Sequence, residues 1–285
     1  MNQATIEEVA SFWNRRPCNV RHSPKPRGTR EYFEEVEARK YFVEPHIPRF
    51  AKFDEWKGKT VLEIGCGLGT DTVHFARAGA RVTAVDISDQ SLELARKHVD
   101  VFGLSDRVSF YHADAEKLTD VISPQPFDLV YSFGVIHHTP NPERVIQQIR
   151  ENYVEPASVL KLMVYYRYAY KVIMILLKEG RGAFWRLDEL VARHSEAQTG
   201  SPVTYLYSRR QMRHLLEGFR IEEMGVEHIF PYRVAEYKNY RYVKSWPFNF
   251  LSSGVTRWIE SVLGWHLCVT ARPCASNDSR ASASF

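Results

Sequence analysis

The sequence predicts an α/β fold: a doubly wound parallel sheet with helices on both faces. Three observations carry this. From residue 59 onward, short apolar runs of strand length alternate with amphipathic segments of helix length. The first run ends in closely spaced glycines that lead straight into a helical segment. Acidic residues stand at or near the ends of the first three runs, Glu63, Asp86 and Asp114. The crossovers between parallel strands are expected to be right-handed.

The elements follow in chain order. Residues 1–58 read as an N-terminal helical cap. Thr5–Trp13 forms one short helix, and Glu31–Val43 a second that Pro45 and Pro48 end. Between them, residues 14–30 hold Arg15, Arg16, Arg21, Lys25, Arg27 and Arg30 with no acid. Thr60–Ile64 is a buried strand, Thr70–Ala78 a helix closed by Gly79, and Arg81–Asp86 a second strand. Ser88–Phe102 is a helix with Ser88 as N-cap and Gly103 as its stop. Val108–His112, Leu129–Phe133 and Val159–Tyr165 are further strands, with helices at Asn141–Glu151 and Ser208–Glu217. Ile221–Ile229 and Trp265–Ala271 are the last two strands. Residues 166–207 and 230–262 interrupt the rhythm, as lids and binding segments do. The reading is one domain, 59–274, carrying these two insertions behind the cap, with 275–285 as a tail expected to be disordered.

Composition narrows the function classes. At 285 residues and 44% hydrophobic, the chain can bury a sizeable core without disulfide or metal staples. A net charge of +4 does not call for nucleic acid. The four cysteines, Cys18, Cys66, Cys268 and Cys274, form no C-x-x-C pair, which suits a reducing, cytoplasmic setting. The N-terminus lacks the pattern of a signal peptide, and Val172–Leu177, the longest aliphatic run, is far short of the ~20 residues of a membrane span. Aromatic residues reach 13% and gather in the two insertions.

The most informative stretch is Val61-Leu-Glu-Ile-Gly65-Cys-Gly67-Leu-Gly69-Thr-Asp71. A dinucleotide fingerprint requires a glycine at position 70, which is Thr, so nicotinamide and flavin fit poorly. Asp86 closes the second strand at about the 20-residue interval that places an acid on ribose hydroxyls. Asp114 closes the third, and Phe127-Asp128-Leu-Val-Tyr-Ser-Phe-Gly-Val-Ile-His137-His138 forms the fourth element. These four elements resemble the class I S-adenosylmethionine-dependent methyltransferases, nearest their small-molecule, ubiquinone/menaquinone-type branch, strongly over residues 59–165. The resemblance implies a Rossmann-like sheet of seven strands, the last antiparallel, and S-adenosylmethionine as cofactor. It implies that Glu63, Gly65 and Gly67, with Cys66 as a small filler, shape the methionine site. It places Asp86 on the ribose, Ile87 and Ala115 on the adenine ring, Asp114 on the adenine amino group, and Ser132 and Phe133 beside the sulfonium. The chain departs from the family at Glu155-Pro156-Ala157-Ser158, where a Pro-Gly-Gly turn is common.

The implied reaction is methyl transfer to a small-molecule acceptor, one that is polar or anionic. His137 and His138 follow the fourth strand and are the candidate bases, because histidine titrates near neutrality. The alternative is that either ring caps the helix near Asn141. Tyr165, Tyr166, Arg167 and Tyr168 are candidate acceptor-binding residues. The rings of 230–250 read first as wall and lid of an acceptor pocket, then as core or oligomer packing, and last as a stacking platform for single-stranded nucleic acid. Arginines of 14–30 folded over the pocket would pair with a carboxylate or phosphate on the acceptor. The stretch Ser132-Phe133-Gly134-Val135 matches neither nucleic-acid base methylation motif, and no catechol-type metal site stands out. Nucleic acid is disfavoured as a partner, a homo-oligomer is left open, and no metal is expected. The competing readings are an RNA or protein methyltransferase using the aromatic and basic lid, or a non-catalytic cofactor-binding subunit.

Overall fold

A computed structural model describes residues 4–180, 182–194, 201–246 and 248–274. The chain order is α1 (Ile6–Arg15), α2 (Arg30–Val43), α3 (His46–Ala51), β1 (Thr60–Ile64), α4 (Thr70–Arg77), β2 (Arg81–Asp86), α5 (Asp89–Val101) and β3 (Val108–His112). It continues through β4 (Leu129–Phe133), α6 (Pro142–Asn152), β5 (Val159–Tyr165), α7 (Tyr170–Lys178), α8 (Leu187–His194), α9 (Arg209–Leu215) and β6 (Phe219–Glu227). Then come α10 (Val234–Lys238), α11 (Ser253–Leu263) and β7 (His266–Pro273).

The strands form one seven-stranded sheet in the order β3-β2-β1-β4-β5-β7-β6. The first five strands run parallel, as the alternating rhythm predicts. β7 runs antiparallel between β5 and β6, as the resemblance implies. Between β6 and β7 the chain passes through α10 and α11 and returns antiparallel beside β6. Side-chain alternation explains the two covered faces. On β1 and β4, Val61, Leu129 and Tyr131 join the core beneath α4, with Phe75 and Ala76. Leu62, Ile64 and Val130 join the opposite core beneath α6 and α9, with Ile149 and Met212. Every residue of β5 is buried, as expected of a strand covered on both sides.

Capping works as the residue types dictate. Thr5 and Glu8 form a reciprocal capping box on α1, and Ser88 caps α5 by accepting from Ser91 N. Pro48 does not end the second helix; it sits in the first turn of α3, where a missing N–H costs nothing. The insertion 166–207 carries α7 and α8, and a parallel bridge between Tyr166 and Tyr207 draws its two ends together. The insertion 230–262 carries α10 and α11. The tail 275–285 lies outside the described residues. Among the described residues, no helix is long and apolar enough to cross a membrane.

The N-terminal helices are fastened to the core by rings. Phe33 of α2 stacks on His98 of α5 with centroids 4.1 Å apart and planes 3° from parallel. His98 Nδ1 also meets Leu68 O at 2.9 Å. Burial pushes the His98 pKa down to about 4, below the ordinary histidine value. The folded protein therefore takes up fewer protons than the unfolded chain between pH 6.5 and 4, and stability falls as pH drops through that window. We expect the stability gap between the wild type and His98→Gln to narrow by about 1 kcal/mol from pH 7 to pH 5.5. Urea unfolding of both proteins at the two pH values measures it, and a gap that stays constant would refute the assignment.

Candidate active site

The glycine loop is shaped by contacts that exclude side chains. Gly65 has φ +81°, and a Cβ there would come within 2.1 Å of the Val135 side chain. Gly69 has φ +72°, and a Cβ would press within 3.1 Å of Ala95. Asp86 at the end of β2 then ties the loop down. Its Oδ2 accepts from Gly67 N at 2.8 Å and its Oδ1 from Ser88 N at 2.9 Å. Burial raises the Asp86 pKa, against the opposing pull of these backbone donors.

A cleft of about 280 Å³ opens beside this loop. It lies outside the carboxyl ends of the strands, between β1 and β4, where the strand order reverses. That is the position at which open α/β sheets bind ligands. Gly65, Cys66, Gly67, Asp86, Ile87, Asp114 and Ala115 line it at one end. Phe133, Met163, Tyr165, His266, Lys40 and Glu44 line it toward the other, and Trp13, Cys18 and Asn19 of the N-terminal segment close over it. The segment 14–30 therefore does fold over the cleft. Three of its arginines are engaged elsewhere: Arg15 donates to Ser11 Oγ, Arg16 lies over the Phe12 ring, and Arg30 donates to Val101 O.

Several predicted residues stand away from the cleft wall. Glu63 is buried behind the loop and accepts from Thr72 Oγ1 at 2.5 Å. Ser132 is buried and donates to Ile64 O at 3.2 Å, joining β4 to β1. Tyr166 packs against the core, Arg167 pairs with Asp188 at 3.4 Å, and Tyr168 is 57% exposed. Of these four neighbours only Tyr165 lines the cleft. Successive side chains at a strand end point to opposite faces, so Tyr165 and Tyr166 diverge. Arg167 faces a separate surface hollow of about 560 Å³ with Glu143, Asp188 and His214, which holds none of the predicted cofactor residues.

The two histidines also separate. His137 is fully buried, neither ring nitrogen has a hydrogen-bond partner, and burial, then the neighbouring His138, holds its pKa well below the usual value. It cannot exchange protons with a ligand. His138 lines the cleft, and its Nδ1 donates to Val203 O at 2.9 Å. That carbonyl assigns the proton to Nδ1 and the lone pair to Nε2. Neither ring caps α6, because Asn141 does so with its own side chain. The rings of 230–250 lie outside the cleft as well. Tyr232 and Tyr242 pack on Phe42, and Arg39 lies over Tyr237 and Tyr240. Of the three readings, packing rather than a pocket wall is the one this placement favours, with the rings laid on the outer face of α2.

The sequence reading missed the charge network that carries the cleft wall. Asp71 Oδ1 accepts from Lys40 Nζ at 2.6 Å and from Tyr41 Oη at 2.8 Å, and its Oδ2 accepts from Tyr131 Oη at 3.0 Å. Burial disfavours the Lys40 charge, but Asp71 outweighs it and holds the Lys40 pKa above the ordinary value. Burial, reinforced by Asp71, raises Glu63 to about 8. An acid in the first turn after the glycines was the available signal, but its partners are thirty or more residues away.

The sheet order and the glycine-loop cleft have the arrangement of a Rossmann-like methyltransferase fold. A family model described as "Methyltransferase domain" matches residues 55–171. The chain is 34% identical over 106 residues to the ubiquinone biosynthesis O-methyltransferase of Actinobacillus pleuropneumoniae serotype 5b, covering 36% of this chain and 44% of that one. It is 38% identical over 87 residues to the mitochondrial ubiquinone biosynthesis O-methyltransferase of Arabidopsis thaliana, covering 30% and 26%. The chain thus spans less than half the length of these curated relatives. Magnesium protoporphyrin IX methyltransferase from Synechocystis PCC 6803, solved with bound SAH, superposes with a TM-score of 0.56 at 17% identity over 93% of this chain and 98% of that one. The [4+2]-cyclase SpnF superposes with a TM-score of 0.55 at 17% identity, over 95% and 94%. At such identity these likenesses speak for the fold alone. Residues 55–171 thus match a methyltransferase domain, and that part of the chain is similar to the ubiquinone O-methyltransferases.

The network makes a direct prediction. Lys40→Met leaves the Asp71 carboxylate buried without its cation, which costs about 3–5 kcal/mol. Urea unfolding measures the loss; a variant within about 1 kcal/mol of the wild type would show that the pair does not hold the cap.

Proposed function

We propose that this protein transfers the methyl group of S-adenosylmethionine to a small-molecule acceptor. The observation that carries this reading is one cleft with two ends. Asp86, Ile87, Asp114 and Ala115 stand at one end, and Lys40, Glu44, Tyr165 and His266 at the other. The residues fit the cofactor. The glycine loop at Gly65 and Gly67 offers close backbone approach for the methionine part, and Glu63 supports it from behind. Asp86 would hold the ribose, with Ile87 and Ala115 against the adenine. Asp114 already spends Oδ1 on Glu116 N, so its other oxygen would serve the adenine amino group. Phe133 would stand beside the sulfonium, with Ser132 holding β4 in place.

The cofactor, when bound, supplies a methyl group already activated on a sulfonium. What remains for the chain is to align the acceptor, exclude water and take a proton. Trp13, Cys18 and Asn19 cover the cleft and so exclude water. His138 is the base we assign, through Nε2. The small volume under this cover supports a small acceptor over a macromolecule. The aromatic and basic segment 230–250, the basis of the RNA or protein alternative, packs on α2 instead of reaching the cleft.

Two measurements test this reading. Asp86→Ala should weaken S-adenosylhomocysteine binding by about 1–3 kcal/mol, read by calorimetry, because a carboxylate's hydrogen bonds to the ribose are lost. Unchanged affinity would remove Asp86 from the site. With labelled S-adenosylmethionine and a metabolite extract, the wild type should yield a labelled small molecule. His138→Gln should lower that rate by about 10²–10⁴-fold at retained cofactor affinity. A variant as fast as the wild type would exclude His138 as the base.

A further inference from the structure

Beyond the cofactor end, three donor side chains converge that no sequence motif connects. Glu44 is the residue that ends α2, His228 follows β6, and His266 opens β7. One donor atom from each lies within 4.8 Å of the other two. His266 Nε2 stands 3.7 Å from Glu44 Oε1, and the His228 ring stacks on His266 with centroids 4.6 Å apart. Glu44 and His266 line the cleft; His228 is buried against them.

We propose that Glu44, His228 and His266 bind a divalent metal ion of borderline softness, such as zinc, at the acceptor end of the cleft, with one coordination position left for the acceptor. Two imidazoles and one carboxylate are the donor set of open zinc sites, which hold three protein ligands and keep a fourth position for water or substrate. A second imidazole supports the set. His46 Nε2 lies 2.9 Å from His266 Nδ1. A proton between these two nitrogens leaves the His266 Nε2 lone pair pointing away from His46, as outer-shell partners do for metal-bound histidines. His228 also holds φ +69°, in the left-handed region that few non-glycine residues adopt.

The role in catalysis rests on the methyl-transfer reading; the binding itself does not. A metal there lowers the pKa of an adjacent acceptor hydroxyl or thiol. The acceptor X–H then gives its proton to solvent or to His138. The X–CH₃ bond forms as the S–CH₃ bond breaks, and the cofactor leaves as a neutral thioether. The acceptor class is a small molecule whose methylated group is an oxygen or sulfur donor.

The test uses the full chain, stripped with a chelator and dialysed against Zn²⁺ or Co²⁺. Elemental analysis should find a single zinc equivalent per chain, and Co²⁺ should give the intense visible bands of a four-coordinate site. Glu44→Gln and His228→Asn should each weaken Zn²⁺ binding by more than about tenfold, and His46→Asn by about 10–100-fold. Asparagine tolerates the left-handed backbone at 228, and circular dichroism reports whether each variant is folded. His214→Gln, at an exposed site on α9, should leave Zn²⁺ affinity unchanged. A folded wild type that retains no zinc and shows only the pale spectrum of aqueous Co²⁺ overturns the proposal, as does stoichiometric zinc in the folded Glu44→Gln/His228→Asn double variant. Calorimetry with S-adenosylhomocysteine on the stripped protein separates the two readings. A protein that binds the nucleoside but takes up no zinc on reconstitution sinks the metal site alone, and one that takes up zinc but binds no nucleoside sinks the methyl-transfer reading alone.

Discussion

Lys40 Nζ and Asp71 Oδ1 stand 2.6 Å apart with little access to water. Neither charge would be stable there alone, because desolvation costs several kcal/mol per ion. Asp71 recovers that cost through two further donors, the hydroxyls of Tyr41 and Tyr131. Those donors come from α2 and β4, so one carboxylate on α4 joins the N-terminal cap to the central sheet. The cleft depends on this join. Lys40 and Glu44 lie on the same stretch of α2, and without the cap the acceptor end of the cleft would open to solvent.

The same burial sets the charge state of the cleft. Glu63 is pushed toward its neutral form by burial and by Asp71. Burial likewise keeps His46, His228 and His266 neutral. The network therefore concentrates ionic character at Lys40 and Asp71, and leaves the acceptor end lined by uncharged rings with Glu44 beside them. Such a wall suits a ligand that brings its own polarity, and neutral imidazoles are available as donors.

The aromatic residues show where sequence reading loses resolution. Their crowding into 166–207 and 230–262 was legible, and both segments do lie outside the alternating core. Which rings face the cleft was not. Tyr165 lines it because β5 ends with that side chain turned inward, while Tyr166 and Tyr168 turn away. The rings of 230–250 cover Phe42 and Arg39 on the outer side of α2. Composition records the number of rings, and only packing decides which surface they cover.

By itself the sequence determined what is local. Strand and helix positions follow from hydrophobic period and capping. The glycine loop follows from backbone freedom at 65, 67 and 69. The acids at 86 and 114 follow from their places at strand ends. All of these depend on neighbours within one turn or one strand, and they place the glycine-loop end of the cleft. The tertiary structure decided what depends on distant partners: the Lys40–Asp71 join, the seclusion of His137 against the accessibility of His138, and the meeting of Glu44, His228 and His266. Those pairings span up to 222 positions along the chain. No local pattern encodes them, because they arise only when the sheet closes β7 against β5 and the cap settles over its edge.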